Sequence, residues 1–283
     1  MRFYFIKQLT SAMEAVYMTI NYSTQDNVAI ITFNDPPNEF ISIKLIEEAS
    51  QALEKARLDD NIKTVIFTGA SKSVFLNCFS PEEVLKMSEA IREHRKTGLA
   101  EPRFAQTPLR KFWEDIDNFC KPTIAAINGM CVGAGFELAL ACDIRVASSG
   151  SYYIGQTDIQ MGLSPSAGAS SRLVRLVGSG KALEWLLRGR SFSPEEAFEE
   201  GLINHLATDS ALSLAKSICI ELGNRPGPAL AAIKQLVKSN QGRTTKDIVD
   251  MEGDLFANLL ANDENAVSSV KEFISNNYKF IKI

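Results

Sequence analysis

Histidine is almost missing from this chain: His94 and His205 are the only two in 283 residues, and they stand far apart. A Ser–His catalytic pair or a histidine-built metal centre is therefore disfavoured, and no metal site is expected. Cysteine is sparse as well. Cys78, Cys120, Cys131, Cys142 and Cys219 are odd in number and form no C-x-x-C spacing, a usage that fits reduced thiols in a cytoplasmic protein. No apolar run approaches the roughly 18 residues of a membrane-spanning helix. The opening stretch from Met1 to Ile6 runs straight into Lys7-Gln8, too short for a signal-peptide apolar region. An excess of one charge is missing too. At a net charge of −4, nothing advertises a nucleic-acid or anionic-membrane surface, and neither partner is expected. The phosphate-loop signatures are incomplete. Gly133-Ala134-Gly135 is followed by Leu138 where a dinucleotide fingerprint needs Gly or Ala. Gly178-Ser179-Gly180-Lys181 has Arg175 in place of the opening Gly and Ala182 in place of Ser or Thr.

What is present is ordinary globular composition, 45% apolar and 23% charged, long enough for one large domain or two smaller ones. The organising stretch is 124–147. A short apolar run, Thr123 to Ile127, has the small and branched residues of a buried strand. It breaks at Asn128-Gly129, passes through Gly133-Ala134-Gly135 and enters a helix-forming run from Phe136, predicted as a helix over 136–142. Strand, Gly-rich turn and helix N-terminus make a site that stabilises negative charge, and Glu137 falls in its first turn. Taken alone, Glu137 reads equally well as a charge serving the helix dipole or as a catalytic carboxylate.

In chain order, residues 18–22 and 28–33 read as strands around a turn over 23–27. Ser42 precedes an amphipathic helix over 43–58, and 64–68 is a buried strand closed by Gly69. Strands with an intervening helix return as 123–127, 136–142, 144–147 and 152–154, which suggests short repeated β-β-α units. Ser80-Pro81-Glu82-Glu83 is a capping box that places Phe79 just before a helix N-terminus. Residues 89–111 are charged and read as an irregular, mobile surface segment. From Ser170 onward the chain reads as helical. Ser193-Pro194-Glu195-Glu196 is a second capping box, 224–228 is a Pro/Gly boundary, and helices follow at about 229–239, 245–261 and 263–275.

With these residues in hand the chain, from about residue 18 to its end, resembles the crotonase (enoyl-CoA hydratase/isomerase) superfamily. One matching block is Asn128-Gly129, Gly133-Ala134-Gly135-Phe136-Glu137-Leu138-Ala139 and Cys142-Asp143-Ile144-Arg145. A second is Gly155-Gln156-Thr157-Asp158, Gly162-Leu163-Ser164-Pro165-Ser166-Ala167-Gly168 and Arg172-Leu173. A third is Gly178-Ser179-Gly180-Lys181-Ala182 with Ala197 and Gly201-Leu202-Ile203. The resemblance implies an α/β fold, a crotonase-like spiral of β-β-α turns, with a C-terminal α-helical trimerisation region. It divides the chain into a dispensable, disordered extension over 1–17, a spiral core with the thioester site over 18–210 and a helical region over 211–283.

The resemblance further implies an acyl-CoA thioester substrate, no cofactor beyond the coenzyme A carried by that substrate, and a homotrimer or dimer of trimers. The thioester carbonyl would lie between the backbone N–H groups of Phe79 and Ala134. Such preorganised donors stabilise an enolate-like oxyanion more than the ground-state carbonyl. Phe75, Asn77, Cys78, Gly133 and Gly135 would form the substrate-binding segments. Glu137 matches the family's first catalytic glutamate, which activates water, and Asp158 stands where hydratases carry a second glutamate that exchanges the α-carbon proton. The activity implied is reversible hydration of a 2-enoyl-CoA. The alternatives are a double-bond isomerase using one carboxylate, or a weakly catalytic acyl-CoA or acyl-carrier binding protein. Two departures motivate that last alternative. Asp158 is shorter than glutamate by one bond, about 1.5 Å, and Cys78-Phe79 replace a Gly and a small residue in the first oxyanion segment.

Overall fold

Residues 28–33, 64–69 and 123–127 are runs of small, branched and aromatic residues with almost no polar alternation, the pattern of strands buried on both faces. In the computed structural model, which describes residues 18–98, 108–240 and 242–279, they become β2 (Val28–Phe33), β3 (Thr64–Gly69) and β5 (Thr123–Ile127). These strands pair in parallel at the centre of a six-stranded sheet. The sheet is completed by β1 (Ile20–Gln25), antiparallel at one edge, and by β7 (Ile144–Ser148) and β10 (His205–Ala207) at the other, in the order β1-β2-β3-β5-β7-β10. A second, four-stranded sheet contains β4 (Val74–Leu76), β6 (Met130–Val132), β8 (Ile154–Gly155) and β9 (Ser191–Phe192).

The chain alternates between the sheets, β3 then β4, β5 then β6, β7 then β8, and a helix follows each visit to the second sheet. This is the expected spiral of β-β-α turns. Its main core lies on the inner face of the larger sheet, where Ile31, Phe33, Phe67, Ala125 and Ile127 pack with helix residues such as Leu45 and Leu53 of α1 (Ile43–Leu58). The opposite face presents Val28, Ile30, Ile66, Ile124 and Val146 to Ala211, Ala215 and Cys219 of the helix Ala211–Gly223. That helix therefore belongs to the packed body of the sheet.

Four local expectations change. The hairpin turn is only Asp26-Asn27, because Gln25 pairs directly with Val28 and Asp26 takes φ 52°. Strands β4 and β6 were not expected, and the two strands β9 and β10 interrupt the part read as wholly helical; all four are only two or three residues long, too short to show an alternation. Within 89–111, α2 (Pro81–Lys96) runs unbroken although none of its residues is buried, and beyond Ile91 its last turns, Arg92-Glu93-His94-Arg95-Lys96, hold no apolar residue to betray it. The same stretch leads into α3 (Pro108–Asp117), whose Phe112, Trp113 and Ile116 are fully buried, with Phe112 edge-on to Phe67 at 6.5 Å. Interleaved Arg110-Lys111 and Glu114-Asp115 disguised that apolar face as a charged run. Residues 1–17, expected as an extension, lie outside the described residues.

Helix α4 (Ala134–Ala141) is buried along all of its length. The Asn128 side chain fixes the turn before it, accepting from the Gly69 N–H and donating to the carbonyls of Gly69 and Ser71. Beyond β8 come a 3-10 turn over Asp158–Met161, then α5 (Ala169–Val177), α6 (Ser179–Arg188) and α7 (Pro194–Glu199). After α8 (Ala211–Gly223) the chain ends in α9 (Gly227–Ser239), α10 (Thr245–Asn262) and α11 (Glu264–Ser275), each boundary within two residues of its expectation. Among the described residues no helix is long and apolar enough to cross a membrane.

Candidate active site

Glu137 is buried to 1% exposure in the first turn of α4. Its Oε1 accepts the backbone N–H of Ala167 at 2.9 Å and of Ala169 at 3.0 Å. Ala169 is the first residue of α5, so the carboxylate of one helix occupies the N-terminus of the next, where free N–H groups favour an anion. Burial nevertheless dominates and pushes the carboxyl up to about 7; the two N–H bonds and Arg172 pull it down, while Asp158 pushes it further up. Both hydrogen bonds fall on one oxygen, and among the described residues Oε2 accepts none. A carboxyl that titrates near neutrality with one oxygen unclaimed is suited to taking a proton.

The two expected oxyanion donors lie at the ends of adjoining loops. Ile41 donates its N–H to Cys78 O at 3.0 Å, and Ser80 donates to Ile41 O at 2.8 Å. In such a parallel bridge the intervening Phe79 N–H faces away from Ile41. Ala134 opens α4, so its N–H has no intrahelical acceptor. Among the described residues neither N–H donates a hydrogen bond. The loops approach each other through glycine. Gly135 donates to Asn77 O at 3.0 Å, and a Cβ there would sit 2.1 Å from Leu76 O. Gly133 takes φ 55°, and its Cβ would lie 2.9 Å from the Cβ of Cys78.

Asp158 starts the 3-10 turn and reaches the same place, its Oδ2 only 3.6 Å from where a Gly133 Cβ would be. Gln156, itself buried, donates to that oxygen at 2.5 Å. Burial raises the Asp158 carboxyl above its ordinary range, against the lowering by Gln156. The Cys78 thiol is also raised, first by burial and then by the charge of Asp158, which argues against a thiolate nucleophile. Thus Cys78, Gly133 and Asp158 meet, and Asp158 is near enough to Glu137 to raise its titration. Phe75 does not join them: it is fully buried and packs edge-on to Phe33 at 5.9 Å, so its side chain supports the loop from within the core. Asn77 is a brace, donating to Asn38 O at 3.3 Å while its Oδ1 takes the Cys78 N–H at 2.8 Å.

A family model described as Enoyl-CoA hydratase/isomerase matches residues 23–279. The chain belongs to this family. A probable enoyl-CoA hydratase of Bacillus subtilis is 28% identical over 257 residues, 90% of this chain and 95% of that protein. The 2,3-dehydroadipyl-CoA hydratase of Escherichia coli is 29% identical over 258 residues, covering 89% and 94% of the two chains. Among solved structures, an enoyl-CoA hydratase from Polaromonas superposes with TM-score 0.81 at 28% identity, over 91% of this chain and 97% of that one.

For this member of the enoyl-CoA hydratase/isomerase family, reading the sequence missed the groups that hold the carboxylates. The Ala167 and Ala169 N–H groups are backbone and carry no side-chain signature; the one available signal is Gly168, at φ 103° directly before a helix. Gln156 and Arg172 stood inside a matched block without an assigned role.

Proposed function

We propose that this protein hydrates 2-enoyl-CoA thioesters reversibly. Glu137 takes a proton from water as the water oxygen bonds to C3. The C2=C3 π electrons shift toward the thioester, giving an enolate whose oxygen accepts the N–H groups of Phe79 and Ala134. Asp158 then delivers a proton to C2, and the proton on Glu137 restores Asp158 through solvent or product. Burial suits Asp158 to the role, since a raised carboxyl is a better proton carrier near neutrality. No cofactor takes part beyond the coenzyme A of the substrate, and Gly133, Gly135, Asn77 and Cys78 shape the crossing of the two loops around the thioester.

The observation carrying this reading is a buried Glu137 held through one oxygen, with Asp158 close enough to raise its titration and itself packed beside Gly133, next to two N–H groups without acceptors among the described residues. Hydration run in deuterium oxide tests it. One deuterium should enter C2 of the 3-hydroxyacyl product, and Asp158→Asn should slow both that entry and net hydration by about 100-fold. Unchanged hydration in Asp158→Asn would remove the second carboxylate from the mechanism, whereas double-bond migration without hydration by the parent protein would leave the one-carboxylate isomerase as the better reading.

The same proposal includes a trimer built on the C-terminal helices. Val237 is 72% exposed, Phe256 64% and Ile233 60%. A groove of about 560 Å³ between α9 and α10 is lined by Ile233, Leu236, Val249 and Phe256. Exposed apolar surface of this kind fits association between copies.

A further inference from the structure

We propose that Arg172, locked in place by Asp117, is the positioning residue for Glu137: its guanidinium grips the 167–169 peptide and so aims two backbone N–H groups at the Glu137 carboxylate. Resting on the reading of Glu137 as the base, this inference adds the device that holds the base. The Nη1 of Arg172 donates to Ala167 O at 2.5 Å, on the residue whose own N–H donates to Glu137 Oε1. The Arg172 N–H donates to Gly168 O at 3.0 Å, so the short peptide is held from backbone and side chain together. Gly168 is at φ 103°, and a Cβ there would lie 2.5 Å from Nη1. The guanidinium fills the space a side chain would need.

Arg172 is fixed in turn from α3. Its Nε donates to Asp117 Oδ2 at 3.0 Å, and its Nη2 contacts the same oxygen. The other oxygen of Asp117 pairs with Lys238 of α9 at 3.2 Å. A planar fork held by a carboxylate presents its remaining donor in one direction, which a lysine ammonium cannot do. The chain of contacts from α9 through Asp117 and Arg172 thus ends on Glu137. The charged groups bearing on Glu137 are Arg172 from α5, which lowers its titration, and Asp158 from the 3-10 turn, which raises it. Arg172 has no part in the bond changes at carbon; it acts on Glu137 through the 167–169 peptide.

The test compares Arg172→Gln, Arg172→Lys and Asp117→Asn with the parent protein. Two readouts are used: the pH profile of enoyl-CoA hydration, and an infrared titration of the Glu137 carboxyl taken as the difference from Glu137→Gln. The infrared readout needs no turnover. With Arg172→Gln, kcat should fall about 10- to 100-fold with KM changed little. The acid limb and the infrared titration should move upward together by about one pH unit, because donors to the charged form are loosened. Arg172→Lys should recover part of both effects. Asp117→Asn should move them the same way by less, and it decides the matter if Arg172→Gln does not fold. A folded Arg172→Gln or Asp117→Asn with the parental carboxyl titration overturns the inference. Full activity in Glu137→Gln would instead remove the base assignment, while the infrared titration would still judge the grip by itself.

Discussion

The two ends of α4 hold their carboxylates in opposite ways. At the N-terminal end Glu137 is buried and held by neutral N–H donors, with no cation bonded to it among the described residues, and its carboxyl is pushed up to about 7. Just past the C-terminal end, Asp143 meets Lys234 at 2.7 Å and Lys238 at 3.3 Å, and also accepts the N–H and hydroxyl of Thr123. Lys238 donates to Ala141 O as well, placing a cation where the helix dipole favours one. The difference lies in the partners. Dipoles with burial leave Glu137 able to change protonation near neutrality, whereas Asp143 is tied to two ammonium groups. On the proposed reading one end of the helix serves proton transfer, while the other fastens α9 onto the core.

The sharpest way to break the contrast is to remove the switchable charge. Glu137→Gln keeps the shape and should lower kcat by about a thousandfold, roughly 4 kcal/mol of transition-state stabilisation, read by hydration kinetics. Removing the fixed charge should act on stability instead. Asp143→Ala leaves Lys234 buried without its counter-ion and should cost about 3 kcal/mol in denaturant unfolding, with the kcat of the folded fraction changed little.

The third prediction concerns pH. The folded Glu137 carboxyl titrates above its ordinary 4.5, so its contribution is fully present below about 4.5 and fades as pH rises through about 7. Glu137→Gln should therefore gain on the parent over that window by up to about 3 kcal/mol, and level off above it. An offset that does not change with pH would contradict the raised titration. The smallest effect is expected at Lys238, whose pairs are partly solvated: Lys238→Met should destabilise by about 1 kcal/mol.

Legibility followed the same contrast. Strands β2, β3 and β5 could be read because burial on both faces writes itself into every residue. The start of helix α2 was marked by its capping box but its run past residue 89 was not read, since it buries nothing, and α3 was hidden because charged pairs fill the gaps between Phe112, Trp113 and Ile116. At the site, Glu137, Asp158 and the glycines were all expected from residues at family-like spacing, and the close approach that Gly133 and Gly135 permit showed only in the fold. The anchors of Glu137 escaped because two are backbone N–H groups. Asp117, 55 residues from Arg172, belongs to a helix that the sequence disguised. Phe75 was misplaced for a related reason: a residue next to a binding loop in sequence can face the core.

The most direct test follows the conjugated-thioester ultraviolet absorbance of 2-enoyl-CoA esters, from short to long acyl chains, with the protein and its Glu137→Gln and Asp158→Asn variants. Rapid loss of absorbance with at least one chain length, slowed at least about 100-fold in both variants, is the predicted result. No loss with any chain length, or undiminished loss in Glu137→Gln, would contradict the account.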